Sequence, residues 1–286
     1  MANALIDSNQ VSVITGATSG IGRVAAEILA ERGDTVVLVG RNPERGRIAV
    51  EQIRAETGNR RLSFIAADLA RLSEVHRLAT TIRERHSRLN VLINNAGALF
   101  PQRTETADGL EKTFALNHMA YFLLSNLLVE PLAQGGSARV INVASTAHQN
   151  ALLDFNDLQL RHGYRGWTAY KRSKLANILF TREFSRRHHG KRIIAASLHP
   201  GFIASRFGDE TGGLFQVMFG LAKRLFAESQ AIGGERVASL AAGPLPITVG
   251  YYANNKLVSP SAAAQSDGDA ARLWEISLEL CHRWME

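Results

Sequence analysis

The sequence contains a single cysteine, Cys281, among its 286 residues. One thiol cannot form an intramolecular disulfide, and this favours a reducing compartment. No stretch reaches the roughly 18 uninterrupted apolar residues that a membrane-spanning helix needs. Residues 1–10 do not show a basic segment followed by an apolar one. We therefore expect no signal peptide, no transmembrane segment and a cytoplasmic location.

Basic residues are in moderate excess, since 33 Lys and Arg stand against 26 Asp and Glu, and the formal net charge is +7. A basic surface is typical of nucleic-acid binding, but these residues are scattered beside glutamates. The densest run, residues 186–192, is typical of a helix C-terminus, where cations face the negative end of the dipole and Gly190 ends the helix. We therefore expect no nucleic-acid partner, while the excess charge can attract an anionic cofactor.

Short apolar runs alternate with amphipathic stretches along most of the chain, and 45% of the residues are hydrophobic. Alternating strands and helices need crossover connections, which produce a parallel sheet with helices on both faces. The length suits one large α/β domain with a central sheet of about seven strands. The predicted strands are residues 11–15, 35–39, 62–66, 91–93, 138–143, 193–198 and 247–252. The predicted helices are residues 23–32, 42–57, 73–86, 109–128 and 170–188.

A glycine-rich segment separates the first predicted strand from the first predicted helix. Its glycines permit a tight turn and let phosphate groups approach the backbone. The N–H groups and the positive dipole end of the following helix can then bind a pyrophosphate. Glycine-rich loops are common, but the position between strand and helix favours a dinucleotide site. The residues predicted to bind the cofactor here are Gly16, Thr18, Ser19, Gly20, Ile21 and Gly22.

The second predicted strand is followed by Arg41, where NAD-selective sites usually carry an acidic residue for the ribose 2′-hydroxyl. A carboxylate would repel a 2′-phosphate, whereas the Arg41 guanidinium would bind it. This residue predicts NADP(H) rather than NAD(H) as the cofactor. The alternative is that Arg41 is only a solvated loop residue.

Two further loops follow the carboxyl ends of predicted strands, which is where ligands bind in parallel sheets. Asp68 and Leu69 follow the third strand, and Asn95, Ala96 and Gly97 follow the fourth. We predict that all five residues contact the cofactor. The Asp68 carboxylate could accept a hydrogen bond from the adenine amino group or cap the next turn, and the residues alone leave both roles open.

Tyr170 and Lys174 stand four residues apart in a predicted helix and therefore share one face. A free tyrosine has a pKa of about 10, and a neighbouring ammonium group would lower it toward the range suited to acid–base chemistry. Ser145 ends the fifth predicted strand, and its hydroxyl would point into the cleft and bind the reacting oxygen. Taken alone, Tyr170 and Lys174 are typical of a solvated helix face. Taken alone, Ser145 is typical of a residue that caps a turn. Combined with the glycine-rich segment, they indicate hydride transfer.

Residues 202–234 break the strand–helix alternation and mix glycine, phenylalanine and basic residues. We predict a substrate loop or lid insertion over the site. Within it, apolar residues alternate with Lys223 and Arg224 between positions 214 and 226, which is also compatible with a helix on a membrane surface. Core packing or a substrate lid is the favoured interpretation.

Over nearly its whole length the sequence resembles the short-chain dehydrogenase/reductase family, which implies a single Rossmann-type, doubly wound domain over residues 1–286. The resemblance rests on residues 15–22, Asp68, residues 94–97, Asn117, Ser145, Tyr170, Lys174 and residues 199–201. It implies a catalytic tetrad of Asn117, Ser145, Tyr170 and Lys174. Lys174 would also bind the nicotinamide ribose, and Asn117 would hold a water in a proton path. Pro200 and Gly201 would border the nicotinamide.

Within that family the chain is similar to the retinol-dehydrogenase-like branch. The similar stretches are residues 117–124, 169–177 and 272–275, together with the long connection between Ser145 and Tyr170. The sequence shows no apolar anchor of the kind that membrane-bound retinol dehydrogenases carry. The resemblance therefore implies a small apolar aldehyde, ketone or alcohol as substrate, and it leaves the formation of a homo-oligomer open.

The leading hypothesis is an NADP(H)-dependent oxidoreductase that acts on an apolar carbonyl or alcohol. The alternative is a non-catalytic NAD(P)-sensing binding protein, which a broken tetrad would mark. A nucleic-acid-binding protein would rest on charge alone, and failure to retain duplex DNA at physiological salt would exclude it.

The remaining reactive residue types have ordinary interpretations. His148 and His162 lie in the long connection before the predicted catalytic helix, where they could touch substrate, and we expect surface residues. His188 and His189 have no third ligand nearby, so no metal site is predicted. Cys281 lacks a histidine or aspartate partner in a known arrangement and is no candidate nucleophile.

Overall fold

The apolar runs form the strands of one sheet in the computed structural model, which describes residues 10–201, 230–243 and 247–285. The strands are β1 (Val11–Thr15), β2 (Thr35–Gly40), β3 (Leu62–Ala66), β4 (Val91–Asn94), β5 (Ala138–Val143), β6 (Ile193–His199), β7 (Gly250–Ala253) and β8 (Lys256–Val258). They lie in the order β3-β2-β1-β4-β5-β6-β7-β8. Every neighbouring pair is parallel except β7 with β8. The predicted α/β fold with a mostly parallel central sheet is confirmed.

Helices cover both faces of the sheet. They are α1 (Gly20–Glu31), α2 (Pro43–Thr57), α3 (Leu72–Arg85), α4 (Lys112–Phe114), α5 (Ala120–Leu127), α6 (Val129–Gln134), α7 (Gly166–Arg187), α8 (Gln230–Ala242) and α9 (Asp267–Cys281). Val13 and Ile14 are neighbours in β1 but belong to opposite cores, because successive side chains of a strand point to opposite faces. The core on the Ile14 side contains α1, α2 and α8, and the other contains α3, α5, α7 and α9.

Local side-chain contacts define where several helices begin and end. Asn42 caps the start of α2 by accepting a hydrogen bond from the Arg45 N–H at 3.0 Å, and Pro43 occupies the first helical position. Gly58 ends the same helix in the left-handed conformation, with φ +69. Ser266 caps α9 in the same way as Asn42 caps α2, by accepting from the Asp269 N–H at 3.1 Å.

The sheet and the central helix differ from the sequence prediction in detail. The last predicted strand, residues 247–252, is β7 at 250–253, and β8 then adds an antiparallel eighth strand. The predicted helix over residues 109–128 is broken into α4, a π-helical turn (Ala115–Met119) and α5. It begins only at Lys112 because the Glu111 carboxylate accepts hydrogen bonds from the N–H groups of Thr113 and Phe114.

The basic run at the end of α7 forms a helix C-terminus, as predicted. The helix ends at Arg187, and Gly190 follows in the left-handed region with φ +88. Arg186 and Arg187 both form salt bridges with the nearly buried Glu183 carboxylate. Both guanidinium groups are therefore engaged within the protein.

Most of the predicted insertion at residues 202–234 lies outside the described residues, namely positions 202–229. These positions include the whole stretch 214–226. Residues 230–234 begin α8. Across the three described ranges, every helix is too short or too polar to cross a bilayer.

Candidate active site

The glycine-rich loop packs tightly against the loop that follows β4. Gly16 has φ +67, in the left-handed region that glycine favours. A Cβ atom at Gly16 would lie 2.9 Å from the Cα of Ala96, and one at Gly22 would lie 2.5 Å from the carbonyl oxygen of Gly16. Larger residues at either position would push the two loops apart.

Thr15 and Asn95 connect the same two loops through hydrogen bonds. The Thr15 hydroxyl accepts from the backbone N–H groups of Asn95 at 2.9 Å and Ala96 at 3.1 Å. The Asn95 amide donates to the carbonyl oxygens of Thr15 at 2.9 Å and Gly16 at 3.3 Å. Asn95 therefore anchors the glycine-rich loop through hydrogen bonds, a role that its sequence position alone does not reveal.

The start of α1 retains donors for an anion. Ser19 is the N-cap residue but its side chain makes no capping hydrogen bond, and the first turn contains no acidic residue. The first backbone N–H groups of a helix lack intrahelical partners, and they coincide with the positive end of the dipole. This helix start fits the pyrophosphate of a dinucleotide.

A cavity of about 1100 Å³ runs along the carboxyl ends of the parallel strands. Ligand cavities usually measure roughly 300–1,000 Å³, so the volume suits a large ligand. It extends from Arg41 beside β2 to Tyr170 on α7. Every residue predicted to bind the cofactor lines it, as does Ser145. Further lining residues that the sequence did not indicate include Arg45, Leu116 and Trp167.

Two positions at the β2–β3 end of the cavity retain open roles. Arg41 is exposed and lines the cavity, and so does Arg45 in the first turn of α2. The Asp68 carboxylate accepts a hydrogen bond from the Ala70 N–H at 3.2 Å, so it caps a turn while also lining the cavity. Arg45 follows Arg41 by four residues, and only the fold shows that both face the same cavity.

Ser145 caps a turn, which is one of the two roles that its sequence position left open. Its Oγ accepts a hydrogen bond from the Ala147 N–H at 3.2 Å and thereby caps a 3-10 helix (Thr146–Asn150). The same side chain interacts with the Tyr170 hydroxyl and lowers the pKa of that phenol. Capping therefore holds the Ser145 hydroxyl beside the phenol.

The pKa of Tyr170 contradicts the sequence prediction. Burial raises it to about 12, and the hydrogen bond with Ser145 opposes the rise without reversing it. Burial also lowers the pKa of Lys174 to about 7. The Lys174 ammonium donates to the carbonyl oxygen of Val143 at 2.9 Å and lies 5.6 Å from the centre of the Tyr170 ring. Because burial disfavours the charged form of each group, the phenol stays protonated at neutral pH.

Asn117 lies in the π-helical turn and is not among the residues that line the cavity. Its Oδ1 accepts from the Ala98 N–H at 2.9 Å, and its Nδ2 donates to the Ala98 carbonyl and the Ser173 hydroxyl, each at 2.9 Å. A Cβ at Gly97 would lie 3.2 Å from Asn117 Oδ1 and 3.4 Å from Lys174 Nζ. The Asn117 side chain therefore holds the loop after β4 against α7.

Trp167 forms part of an apolar end of the cavity that the sequence analysis missed. Its ring lies 5.6 Å from that of Tyr170 at an interplanar angle of 23°, and 40% of the residue is exposed. Leu99, Phe100 and Leu116 line the same cavity. The spacing of three residues between Trp167 and Tyr170 was an available signal, because such residues share a helix face.

His148 is fully buried, so the expectation of a surface residue was wrong. Its Nδ1 lies 2.6 Å from the Ser145 carbonyl oxygen, and its Nε2 lies 3.1 Å from the backbone nitrogen of Ser261. Ser261 is 113 residues away in sequence, which explains why local pattern did not indicate the contact. His162, in contrast, is exposed as expected.

Cys281 is buried at the end of α9, where burial raises the pKa of its thiol to about 12. Such a thiol carries little thiolate at neutral pH. His188 packs its ring 4.4 Å from that of Phe184. Within the described ranges, no three His, Cys, Asp or Glu side chains are grouped in a way that could hold a metal ion.

Known proteins match this chain over most of its length. A family model for short chain dehydrogenase matches residues 10–212, a range that contains all four predicted catalytic positions. A Streptomyces sp. (strain C5) protein proposed as the daunorubicin C-13 ketoreductase DnrU is 40% identical over 268 residues, covering 93% of this chain and 90% of that protein. Retinol dehydrogenase 12 of Mus musculus is 36% identical over 272 residues, covering 95% and 86% respectively.

Solved structures show the same likeness. An uncharacterised protein from Mycobacterium paratuberculosis superposes with a TM-score of 0.78 at 31% identity, covering 96% of this chain and 93% of that chain. The NADP active-site complex of RhlG from Pseudomonas aeruginosa gives a TM-score of 0.68 at 23% identity, covering 88% and 96%. The second match shows a shared fold alone.

Proposed function

This chain belongs to the short-chain dehydrogenase family, in its retinol-dehydrogenase-like branch, and from that premise we propose that it transfers a hydride between NADP(H) and an apolar carbonyl or alcohol. Family membership makes the chain an enzyme that uses a nicotinamide cofactor and a small-molecule substrate. One observation carries the finer proposal. The Tyr170 hydroxyl interacts with the Ser145 side chain, and both residues line the same cavity as the buried Lys174 and the glycine-rich loop.

Tyr170 is the proton donor for reduction. When bound, the nicotinamide supplies the hydride to the carbonyl carbon, or takes it from the alcohol in the reverse direction. As the carbonyl oxygen gains the electron pair of the C=O π bond, it takes the proton of the Tyr170 hydroxyl. The products are an alcohol and a phenolate, which is reprotonated from solvent. A phenol with a pKa of about 12 stays protonated before this step.

The neighbouring side chains support the proton transfer. The Ser145 hydroxyl has one proton, which it donates to the reacting oxygen while substrate is bound and to the Tyr170 phenolate once the alcohol has left. Lys174 binds the nicotinamide ribose from its position beside Gly97. Asn117 contributes indirectly, because its side chain fixes the Ala98 backbone and Ser173.

Replacing Tyr170 with phenylalanine tests the assignment. We expect kcat to fall about 10²- to 10⁴-fold, the usual value of a positioned general acid, while NADPH affinity stays nearly unchanged. The measurement is NADPH oxidation with a panel of aldehydes and ketones, together with cofactor titration. Tyr252→Phe is the matched control, since that hydroxyl bonds only Thr248 in the described structure. Unaltered turnover in Tyr170→Phe would reject the role.

The alternative, a non-catalytic NAD(P)-sensing protein, predicts a different result. The wild-type chain would bind NADPH but would oxidise it with no carbonyl in the panel. The protonated phenol beside Ser145 favours catalysis, because a sensor has no need of a buried proton donor at the end of its cofactor cavity.

The preference for NADP(H) is supported by two cations at one end of the cavity. Arg41 and Arg45 line it, and neither forms a salt bridge with a carboxylate in the part of the chain that the structure describes. Arg47 on the same helix is instead held by Glu44 and Glu51. A free guanidinium forms strong charge-assisted hydrogen bonds with a phosphate.

Single Arg→Gln variants separate these cations. We expect Arg41→Gln and Arg45→Gln each to raise the KM for NADPH about tenfold or more, since each would lose a charged hydrogen bond, with little change for NADH. Arg47→Gln should leave both values unchanged. Equal KM values for NADPH and NADH in the wild type would show that Arg41 and Arg45 do not bind the 2′-phosphate.

The proposed substrate is apolar because apolar side chains line the cavity next to the proton donor. Trp167 stacks on Tyr170, and Leu99, Phe100 and Leu116 line the same cavity. The names of the relatives point the same way, since one is called a retinol dehydrogenase and another a ketoreductase. Trp167→Ala should raise KM for bulky apolar carbonyls more than for small ones, because the larger molecules lose more contact area.

A further inference from the structure

His148 is placed between the proposed catalytic serine and the C-terminal part of the chain. The residue has no exposed surface, and its ring lies 4.9 Å from that of Tyr251 in an edge-on arrangement. One ring nitrogen meets the carbonyl of Ser145 and the other meets the backbone of Ser261. None of these contacts belongs to the proton transfer described above.

The two partners determine which tautomer His148 adopts. The Ser145 carbonyl can only accept a hydrogen bond, so Nδ1 must carry a proton and donate at 2.6 Å. The Ser261 N–H can only donate, so Nε2 must be unprotonated and accept at 3.1 Å. The ring is therefore neutral, with its proton on Nδ1. Burial, which lowers the pKa of His148, favours the same neutral form.

The contact with Ser145 restricts the orientation of the serine. Its carbonyl accepts both the Nδ1–H and, at 3.2 Å, the backbone N–H of His148. Its hydroxyl accepts from the Ala147 N–H at 3.2 Å. With the peptide group and the side chain both held, the Ser145 hydroxyl stays directed at Tyr170.

We propose that His148 is a positioning residue that orients Ser145 toward Tyr170 and connects the serine to the segment around Ser261. This inference rests on the proposed function, since it assigns His148 a part in the same reaction. His148 touches neither the phenol nor, in this role, the substrate. Its effect passes through the Ser145 backbone, and an orientation error of about 1 Å can cost about 10²-fold in rate.

Two isosteric variants separate the two nitrogens. The amide nitrogen of His148→Asn occupies the position of Nδ1 and can still donate to Ser145, but the Nε2 acceptor is lost. The amide of His148→Gln reaches the position of Nε2 and can still accept from Ser261, but the Nδ1 donor is lost. His162→Asn and His162→Gln, at the exposed histidine of the same connection, are the matched controls.

We expect His148→Asn to keep kcat within about threefold of the wild type, and His148→Gln to lose about tenfold or more at an unchanged KM for NADPH. The melting temperature gives a second measure. A purely structural role of His148 would lower kcat and the melting temperature together in both variants, whereas the positioning role predicts that His148→Asn restores kcat.

Wild-type kcat in His148→Gln would overturn the proposal. So would equal losses of kcat and melting temperature in both variants, which would indicate a purely structural role. An absence of turnover in the wild type would instead count against the proposed function. In that case nitrogen-15 NMR of the imidazoles still tests the geometry. The signal lost in His148→Asn must show a protonated Nδ1 and a bare Nε2, and the reverse tautomer would refute the positioning contact.

Discussion

Burial shifts the pKa values of Tyr170 and Lys174 in opposite directions, and both shifts favour the neutral form. The phenol is stabilised in its neutral form with a pKa of about 12, and the amine in its neutral form with a pKa of about 7. The sequence spacing predicted mutual attraction between charged forms. In the folded chain the cost of removing each charge from water is larger, because Lys174 is only 3% exposed and Tyr170 9%.

Lys174 should make the stability of the cofactor-free protein depend on pH. Its pKa is about 7 in the folded state and about 10.4 when unfolded, so above pH 7 the unfolded chain binds more protons. The free energy of unfolding should therefore rise between about pH 7 and pH 9, by at most about 1.4 kcal/mol per pH unit. Urea denaturation of the wild type and of Lys174→Met measures this contribution.

In Lys174→Met the rise in the free energy of unfolding between pH 7 and pH 9 should be smaller than in the wild type by the contribution of Lys174. The range stops at pH 9 because the raised pKa of Tyr170 contributes the opposite slope above pH 10. Parallel pH dependence in the two proteins would show that the Lys174 amine titrates normally in the folded state.

At the scale of secondary-structure elements, the π-helical turn separates α4 from α5 and places Asn117 against the loop after β4. π-helical turns are rare in proteins, and those that occur within helices are frequently found at functional sites. Here the Asn117 side chain joins three elements, since it bonds Ala98 in that loop and Ser173 on α7. The turn thus contributes to the site by holding neighbouring elements together.

Asn117→Ala should lower the free energy of unfolding by about 2–4 kcal/mol. The change removes three hydrogen bonds and leaves the Ala98 N–H and C=O without their side-chain partner, and an unsatisfied buried group costs about 1–3 kcal/mol. Asn126→Ala on α5 is the control, because that amide makes only one bond, to Phe122 of its own helix, in the described structure. Chemical denaturation compares them. A loss in Asn117→Ala no larger than in the control would contradict the role.

At the scale of the whole molecule, the order of the strands brings the residues of the site together. The strand order changes direction between β1 and β4, and the loops after these strands meet at one edge of the sheet. The glycine-rich loop and Asn95 come together there, although about 80 residues separate them. The net charge of +7 gives the protein as a whole a positive average potential.

That charge should make cofactor capture depend on salt. Raising ionic strength from about 0.01 M to about 0.15 M shortens the Debye length from about 30 to about 8 Å, which screens the attraction to a polyanionic cofactor. We expect kcat/KM for NADPH to fall several-fold, whereas KM for a neutral carbonyl should hardly change. Steady-state kinetics in a salt series measure both values. An NADPH value independent of salt would show that net charge has no part in capture.

Much of the framework was readable from the residues because its signals are local. Strands buried on both faces leave continuous apolar runs, and β1 to β6 were predicted from them to within a residue at their ends. The glycine-rich segment was readable because a tight loop and a close approach of backbones require glycine at Gly16 and Gly22. β8 was not readable, since all three of its residues are exposed and it forms only by pairing with β7.

The sequence alone determined the fold class, the family resemblance and the set of residues to consider at the site. Tertiary structure decided what those residues do: that Asn117 faces Ala98 and Ser173, that His148 lies buried between Ser145 and Ser261, and that Tyr170 holds its proton. The reason is physical. Periodicity and turn chemistry depend on neighbours along the chain, whereas burial, tautomer and pKa depend on groups that only folding brings together.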